Sequence, residues 1–416
     1  VKLRGSFRPT GDKSISHRIA LMALLGKGRC AVQNFSSAED PLTTLRVVAA
    51  LGVPARRSGS ELMLEGIQSR LCGPDLIHCG NSGTTLRLLM GILSGVEGER
   101  LLDGDDSLRR RPMERVALPL REMGARIHCD GGSAPVRIQG GALQGIRYTL
   151  PVPSAQLKSA VLLAGIQAQG ATLVKEPVPS RDHTERLLSL CHVEIERDDE
   201  VWRVVPSTPR LPRHFYVPGD VSSAAFLLCA AVVGQGSEVE AEGVLLNPLR
   251  CGFLEVLRRM GADVEIELWG EEPEPWGRIR ARFSPNLVGC EVSPSEVPQL
   301  VDEIPILALV ATQARGPTRF RSVGELRLKE SDRLSAIATQ LGAMGAEIRI
   351  EGDDLVIEGP TSLRPVEELD SFRDHRMAMT LRIAAMLTGA EPRIKGEESV
   401  RISYPEFHET LRRLAS

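Results

Sequence analysis

Two kinds of apolar pattern alternate along the chain. The first is nearly continuous: ISHRIALMALLG, TTLRLLMGILSG, AQLKSAVLLAGI, SSAAFLLCAAVV, EIPILALVATQA and RMAMTLRIAAML are apolar on almost every side. Helices of that composition belong inside a domain. The second pattern is amphipathic, ends in a Gly-Ala or similar step, and is followed by two short strand-like runs. It reads LRVVAALGVPARR around Gly52, LPLREMGARIHC around Gly124, a worn TERLLSLCHVEIER around Cys191, FLEVLRRMGADVEI around Gly261 and IATQLGAMGAEIRI around Gly345, and it stops at ETLRRLAS. The copies recur at roughly 70 residues, longer than a solenoid repeat and suited to an α/β unit. The amphipathic helices and strands are expected to cover the apolar ones. Six such units predict an α/β protein of two domains with three units each.

The boundaries follow from the breaks in these patterns. The acidic WGEEPEPWG, in the longer gap before Gly345, predicts a surface hairpin loop. VPSTPRLPRHFYVP carries Pro206, Pro209, Pro212 and Pro218 after the third unit and predicts an extended linker. The leading strand VKLRGSF is expected to join the other domain, with a second crossing near Pro9 to Asp12. The expected domains are 13–218, and 1–12 together with 219–416.

Composition narrows the class. The 416 residues are 42% apolar and 25% charged, as in a globular protein, and only 4% aromatic, so the cores must be aliphatic. A net charge of −3 argues against a nucleic-acid partner. No apolar run approaches the roughly 18 residues a membrane helix needs. VKLRGSFRPTG lacks the apolar core of a signal peptide, and a start at Val1 suggests that a short native N-terminus was trimmed. The eight cysteines form no CxxC pair and no zinc-spaced cluster, so buried reduced thiols and no metal are expected. These readings point to a cytoplasmic protein, expected to be a monomer.

A polar cluster precedes every apolar helix: GDKSISHR, CGNSGTTLR, PSAQLKS, PGDVSS, VDEIP and DHRMAM. Helix N-termini have unpaired N–H groups and the positive end of the helix dipole, so they bind anions. Two domains presenting such ends to one another would form an anion-attracting cleft. Ser, Asp and Asn at these places also serve as plain N-caps. Cations add weight to the anion reading: Lys13 and Arg18 at the first cluster, Arg109 to Arg111, Arg181, Lys329 and Arg333, and His375 with Arg376. In LRLKESDRLSAI, the spacing predicts that Lys329, Glu330 and Arg333 share a helical i, i+1, i+4 neighbourhood. A nucleotide phosphate loop is excluded, because Asp12 rather than Gly precedes Lys13. No GxGxxG follows a strand, which excludes a dinucleotide fold.

In this order, GDKSISHR, GNSGTTLR, RRRPM, SAQLKSAVLLAG, SRDHTE, GDVSSAAF, VDEIPILA, LRLKESDRL and DHRMAM resemble the enolpyruvylshikimate phosphate synthases over almost the whole chain. The resemblance implies two inverted α/β barrel domains, each of three βαβαββ units, with the active site in the cleft between them. It implies transfer of the enolpyruvyl group of phosphoenolpyruvate to the 5-hydroxyl of shikimate 3-phosphate, without cofactor. The two substrates are the expected partners. Lys13, Ser14, Arg18, Ser154, Ala155, Gln156, Arg181, Asp302 and Lys329 match contacts to shikimate 3-phosphate. Lys13, Gly83, Arg111, Gln156, Arg333, His375 and Arg376 match the phosphoenolpyruvate pocket. Lys13, Asp302 and Glu330 match the catalytic group. The resemblance also implies competition by glyphosate for the phosphoenolpyruvate pocket. Many relatives carry Lys where this chain has Ile402, beside Arg401.

The chemistry implied is addition followed by elimination, which needs a base for the hydroxyl and an acid for C3. Asp302 is the candidate base and Glu330 the candidate acid, and residue type leaves that division open. Seven cations (Lys13, Arg18, Arg111, Arg181, Lys329, Arg333 and Arg376) are expected to face the substrates' phosphates and carboxylates. Two alternatives stand beside this reading. A UDP-N-acetylglucosamine enolpyruvyl transferase would show GAKN and a reactive loop Cys, whereas this chain has GDKS and no Cys near RRRPM. A non-catalytic anion- or RNA-end-binding protein would not need Asp302 and Glu330.

Overall fold

The six continuous apolar runs are helices: Lys13–Leu25, Gly83–Ser94, Ala155–Gly165, Val221–Val233, Ile304–Thr312 and His375–Thr388. Their burial is all-round, as the composition demands. Every residue from Val221 to Val232 and from Ile304 to Thr312 is buried. The second set of runs forms amphipathic helices, among them Glu114–Glu122, Gly252–Arg259 and Arg333–Ala343. Gly252–Arg259 buries Phe253, Leu254, Val256 and Leu257 and exposes Glu255, Arg258 and Arg259. The repeated glycine has a backbone cause. Gly52, Gly124, Gly261 and Gly345 have φ of 103°, 111°, 84° and 97°, where a side chain is strained. In the worn third copy His192 takes this place with φ 59°.

The computed structural model describes residues 2–58 and 61–415. The chain divides into one unit of Gly11–Val217 and another of Val1–Thr10 with Pro218–Ser416. In the first unit, strands Leu76–His78, Gly98–Asp103, Ser133–Gly140 and Arg126–Asp130 lie side by side in that order. The first pair is parallel and the next two are antiparallel. Strands Arg147–Thr149, Thr172–Lys175, Val201–Val204 and Ile195–Asp198 repeat the arrangement.

The first repeat has no leading strand of its own. His214–Tyr216 supplies it, running parallel to Lys27–Gln33. The proline-rich stretch expected to be a linker is therefore a sheet edge. Leu211, Phe215 and Val217 are buried beneath it. Its hydrogen bonds use the carbonyls of Pro209 and Arg213 and the N–H groups of Leu211 and Val217, so no proline has to donate.

The second unit is built the same way. Its leading strand is Arg4–Phe7, parallel to Glu238–Leu245, with Trp276–Arg282 and Asp263–Gly270 beyond. Residues 271–275 turn between the last two strands, as the acidic excursion predicted. One carboxylate of that turn, Glu274, is buried and accepts a 2.9 Å bond from Asn247. The last repeat is reduced to the pair Glu368–Asp370 and Arg393–Lys395, followed by helix Phe407–Leu414.

No described helix is long and apolar enough to cross a membrane. Five of the eight cysteines are buried, whereas Cys72 is exposed and Cys251 and Cys290 are half-buried, so the expectation of buried thiols fails at these three.

Candidate active site

The polar clusters first do what N-caps do. Asp12, Ser82, Ser154 and Asp220 each accept from the N–H three residues on, at 2.9, 3.1, 3.3 and 3.1 Å. Asp374 accepts from the Arg376 N–H at 2.9 Å, and Ile304–Thr312 has no side-chain cap. The caps are not equivalent for anion binding. Asp12, Asp220 and Asp374 place a carboxylate at the positive helix end, whereas Ser82 and Ser154 leave that potential uncancelled. Both serine-capped helices lie in the Gly11–Val217 unit.

That unit gathers nine of the candidate residues at helix starts and adjoining loops. Lys13 and Ser14 open the first buried helix, and Lys13 Nζ lies 3.0 Å from Asp40. Arg18 is buried one turn on. Its Nε donates to Thr184 at 2.7 Å, and its two Nη groups donate to the Ser14 carbonyl and Ser159 Oγ, both at 2.9 Å. At least three of its five N–H donors thus go to the protein. Around Gly83, Arg111 Nη2 donates to Asn81 at 2.8 Å. Gln156 accepts from Arg87 at 2.6 Å and donates to Thr84 at 2.9 Å. A Cβ added at Gly83 would sit 3.2 Å from Arg111 Nη1 and 3.3 Å from Arg87 Nη1. Gly83 is not in the left-handed region, so its backbone does not require glycine. Ala155 and Gln156 are the first helical residues after Ser154. Arg181 is half-buried in the loop before helix His183–Leu190.

The second unit holds an ion-pair cluster instead. Arg333 is 1% exposed and lies among three carboxylates: Asp374 at 2.7 Å, Glu330 at 2.5 Å and Asp302 at 3.2 Å. Burial opposes its charge, but Asp374, Glu330 and Asp302 outweigh that and hold the guanidinium firmly protonated. Arg376 donates to the Asp302 carbonyl at 3.0 Å and reaches Glu303 at 3.3 Å. Lys329 Nζ lies 3.8 Å from Asp302, and burial lowers its pKa from the ordinary lysine range. His375 is buried at the first position of its helix.

One expectation is corrected here. Lys329 and Glu330 are not on a helix with Arg333. Lys329 has extended backbone, and Asp332 caps a helix that begins only at Arg333. Arg18, Arg111, Arg333 and Arg376 are all buried, and the last two are paired with carboxylates of their own unit. Arg401 is exposed, with its Nε 3.4 Å from the Glu398 carbonyl in its own turn.

Several residues went unnoticed in the sequence. Arg250 is 2% exposed and lies 3.7 Å from Asp302, 3.8 Å from Glu303 and 3.9 Å from Asp220. A buried chain runs from His17 Nδ1 to Thr44 Oγ1 (2.6 Å), Thr85 Oγ1 (2.5 Å) and Ser82 Oγ (2.7 Å). Thr85 donates to Ser82, so Thr44 donates to Thr85 and His17 donates from Nδ1. Burial, then Lys13 and Arg18, push the His17 pKa well down, which keeps the ring neutral and suits that single donor. The chain ties the Lys13 helix to the cap of the Gly83 helix. The one available signal was a polar residue inside an otherwise apolar helix, which needs a partner.

With this geometry in view, the comparisons agree with one another. The family model of EPSP synthase (3-phosphoshikimate 1-carboxyvinyltransferase) matches residues 1–411. A 3-phosphoshikimate 1-carboxyvinyltransferase from Thermus thermophilus is 46% identical, over 100% of this chain and 97% of its own length. One from Geobacillus kaustophilus is 44% identical, over 99% and 98%. Among solved structures, an EPSP synthase from Acinetobacter baumannii superposes with a TM-score of 0.87 at 37% identity, covering 99% of this chain and 96% of that one. The enolpyruvyl transferase NikO from Streptomyces tendae shares the fold, with a TM-score of 0.79 at 18% identity, 100% of this chain and 95% of that one. Matched end to end in sequence and in fold, the chain belongs to the EPSP synthase family.

Proposed function

We propose that this chain moves the enolpyruvyl group of phosphoenolpyruvate onto the 5-hydroxyl of shikimate 3-phosphate, releasing phosphate. The full-length family match carries the reading. The candidate cations, carboxylates and serine-capped helix ends support it, because they suit two substrates that together bear two phosphates and two carboxylates. In this reading Lys13, Ser14, Arg18, Ser154, Ala155, Gln156 and Arg181 bind shikimate 3-phosphate, with Asp302 and Lys329 at its ring hydroxyls. Lys13, Gly83, Arg111, Gln156, Arg333, His375 and Arg376 bind phosphoenolpyruvate.

The steps follow from the bonds that change. Asp302 takes the 5-hydroxyl proton as that oxygen attacks C2, and Glu330 delivers a proton to C3. The tetrahedral ketal then loses phosphate from C2 and a proton from C3, which restores the double bond on the new ether. Lys13 stabilises the charge that builds on the departing phosphate. Arg333 lies between the two carboxylates and orients both, with 2.5 Å to Glu330 and 3.2 Å to Asp302. Eight free cysteines suit a reducing compartment, so the same reading places the enzyme in the cytoplasm. The direct test supplies both substrates and follows inorganic phosphate. Release that requires both is expected, and release from phosphoenolpyruvate alone, or none, would reject the reading.

Gly83→Ala gives a second, sharper expectation. The methyl comes nearest the guanidinium ends of Arg111 and Arg87, at 3.2 and 3.3 Å, and touches Leu108 at 3.7 Å, so the fold tolerates it if the guanidinium groups shift by a few tenths of an ångström. Phosphoenolpyruvate is compact and should lose about fivefold in KM. Glyphosate is longer, and its inhibition constant should rise at least tenfold more, about 1.4 kcal/mol of discrimination. Equal proportional rises in both constants would remove Gly83 from the pocket.

A further inference from the structure

We infer that Lys158 is a positioning residue for the shikimate 3-phosphate site: one buried ammonium group fixes three chain segments that each carry a contact to that substrate. The inference rests on the functional reading above. Lys158 lies one turn into helix Ala155–Gly165, on a face otherwise made of Leu, Val and Ala, and its side chain is 0% exposed. Its Nζ is 2.8 Å from Glu176, 2.7 Å from Glu185 and 3.2 Å from the Ser180 carbonyl. Glu176 and the Ser180 carbonyl accept hydrogen bonds from it, and Glu185 adds a second close opposite charge. The Trp202 ring, with its centroid 5.9 Å away, closes the remaining side.

Each partner leads to the site. Ser154, Ala155 and Gln156 begin the helix that carries Lys158. Glu176 accepts from the Ser180 N–H at 2.9 Å and from the Ser180 hydroxyl. With its carbonyl on Lys158, Ser180 is held at all three polar groups, and the next residue is Arg181. Glu185 lies on helix His183–Leu190, where the neighbouring Thr184 takes the Arg18 Nε at 2.7 Å. Ser159, which follows Lys158, holds Arg18 by Nη2 at 2.9 Å. Arg18, Arg181 and the Ser154 helix end are thus registered to one another through a cation that touches no substrate. A solely structural salt bridge would need neither the clamp on Ser180 nor this convergence on contacts to a single ligand.

The test measures the dissociation constant of shikimate 3-phosphate by calorimetry, together with the KM of phosphoenolpyruvate, in the full chain. Lys158→Met is expected to weaken shikimate 3-phosphate at least tenfold and to leave the phosphoenolpyruvate KM within about twofold, since Arg181 and Arg18 serve one ligand, while Gln156, which serves both, is also held by Arg87 and Thr84. Lys158→Met leaves two buried carboxylates facing each other and can fail to fold. Ser180→Ala therefore accompanies it, because it removes only one hydroxyl bond of the clamp. It is expected to fold like the parent and weaken shikimate 3-phosphate about threefold. If Ser180→Ala, and Lys158→Met where it folds, bind shikimate 3-phosphate as the parent does, the positioning role is overturned. Equal losses for both ligands would also overturn it, as the mark of general destabilisation. A parent that itself fails to bind shikimate 3-phosphate would instead reject the functional reading.

Discussion

Lys13→Met should lower kcat by at least about a thousandfold while the protein stays folded. The loss is chemical. Removing one preorganised donor from a developing charge costs roughly 10²- to 10³-fold in rate, and Lys13 is assigned to both substrates as well as to the leaving phosphate. The structural cost is small by comparison. Lys13 is ion-paired with Asp40 at 3.0 Å, and the two side chains keep 15% and 11% of their exposure. Breaking such a part-buried pair costs on the order of 1–3 kcal/mol, against the roughly 5–15 kcal/mol that holds a domain. The measurement is turnover by phosphate release beside a thermal melt. Activity above a tenth of the parent, with an unchanged melt, would remove Lys13 from the catalytic group.

Arg333→Met is expected to do the opposite and damage the fold as well as the chemistry. Arg333 is 1% exposed, and its three nitrogens are divided among Asp374, Glu330 and Asp302. Methionine fills much of the same volume but leaves the fully buried Asp374 without its cation. Breaking a buried pair from one side costs about 3–5 kcal/mol, because the stranded charge remains. At 2–4 °C per kcal/mol for a unit of this size, the melt of the Val1–Thr10 and Pro218–Ser416 unit should fall by about 6–20 °C. Turnover should vanish, since Asp302 and Glu330 lose the group that orients them. Arg333→Lys keeps the charge but not the planar fork, and should recover only part of both. A melt for Arg333→Met within about 2 °C of the parent would show that the carboxylates find other partners.

What the sequence disclosed depended on how local the cause was. The buried helices were legible because continuous apolar runs have few other homes. Four of the copies were legible because a positive φ at Gly52, Gly124, Gly261 and Gly345 favours one residue type. The placement of His214–Tyr216 was not legible, since its partner strand lies almost 200 residues earlier and parallel pairing leaves no turn between them. The prolines there suggested a breaker, whereas the sheet edge uses only their carbonyls. The spacing of Lys329, Glu330 and Arg333 misled for a different reason. Asp332 is a capping residue, and a helix started by it cannot include the positions before it. Lys158 and Arg87 are charges inside apolar helices that the sequence did not single out, and their partners, 18 and 69 residues away, are set by the fold.

The placement of Arg4–Phe7 beside Glu238–Leu245 also has a consequence for how the chain is made. A ribosome finishes the Gly11–Val217 unit before it makes any partner for the first strand, so that unit can close while the strand waits. For more than two hundred residues of synthesis the strand is an open edge with Leu3 and Phe7 unshielded, both of which end up buried. Its composition fits the wait: Lys2, Arg4 and Arg8 carry like charge, and Gly5, with φ 110°, resists a flat extended pairing. A charged, kinked segment is a poor template for the wrong neighbour. The unit translated later is thus completed by a strand made before the other unit begins.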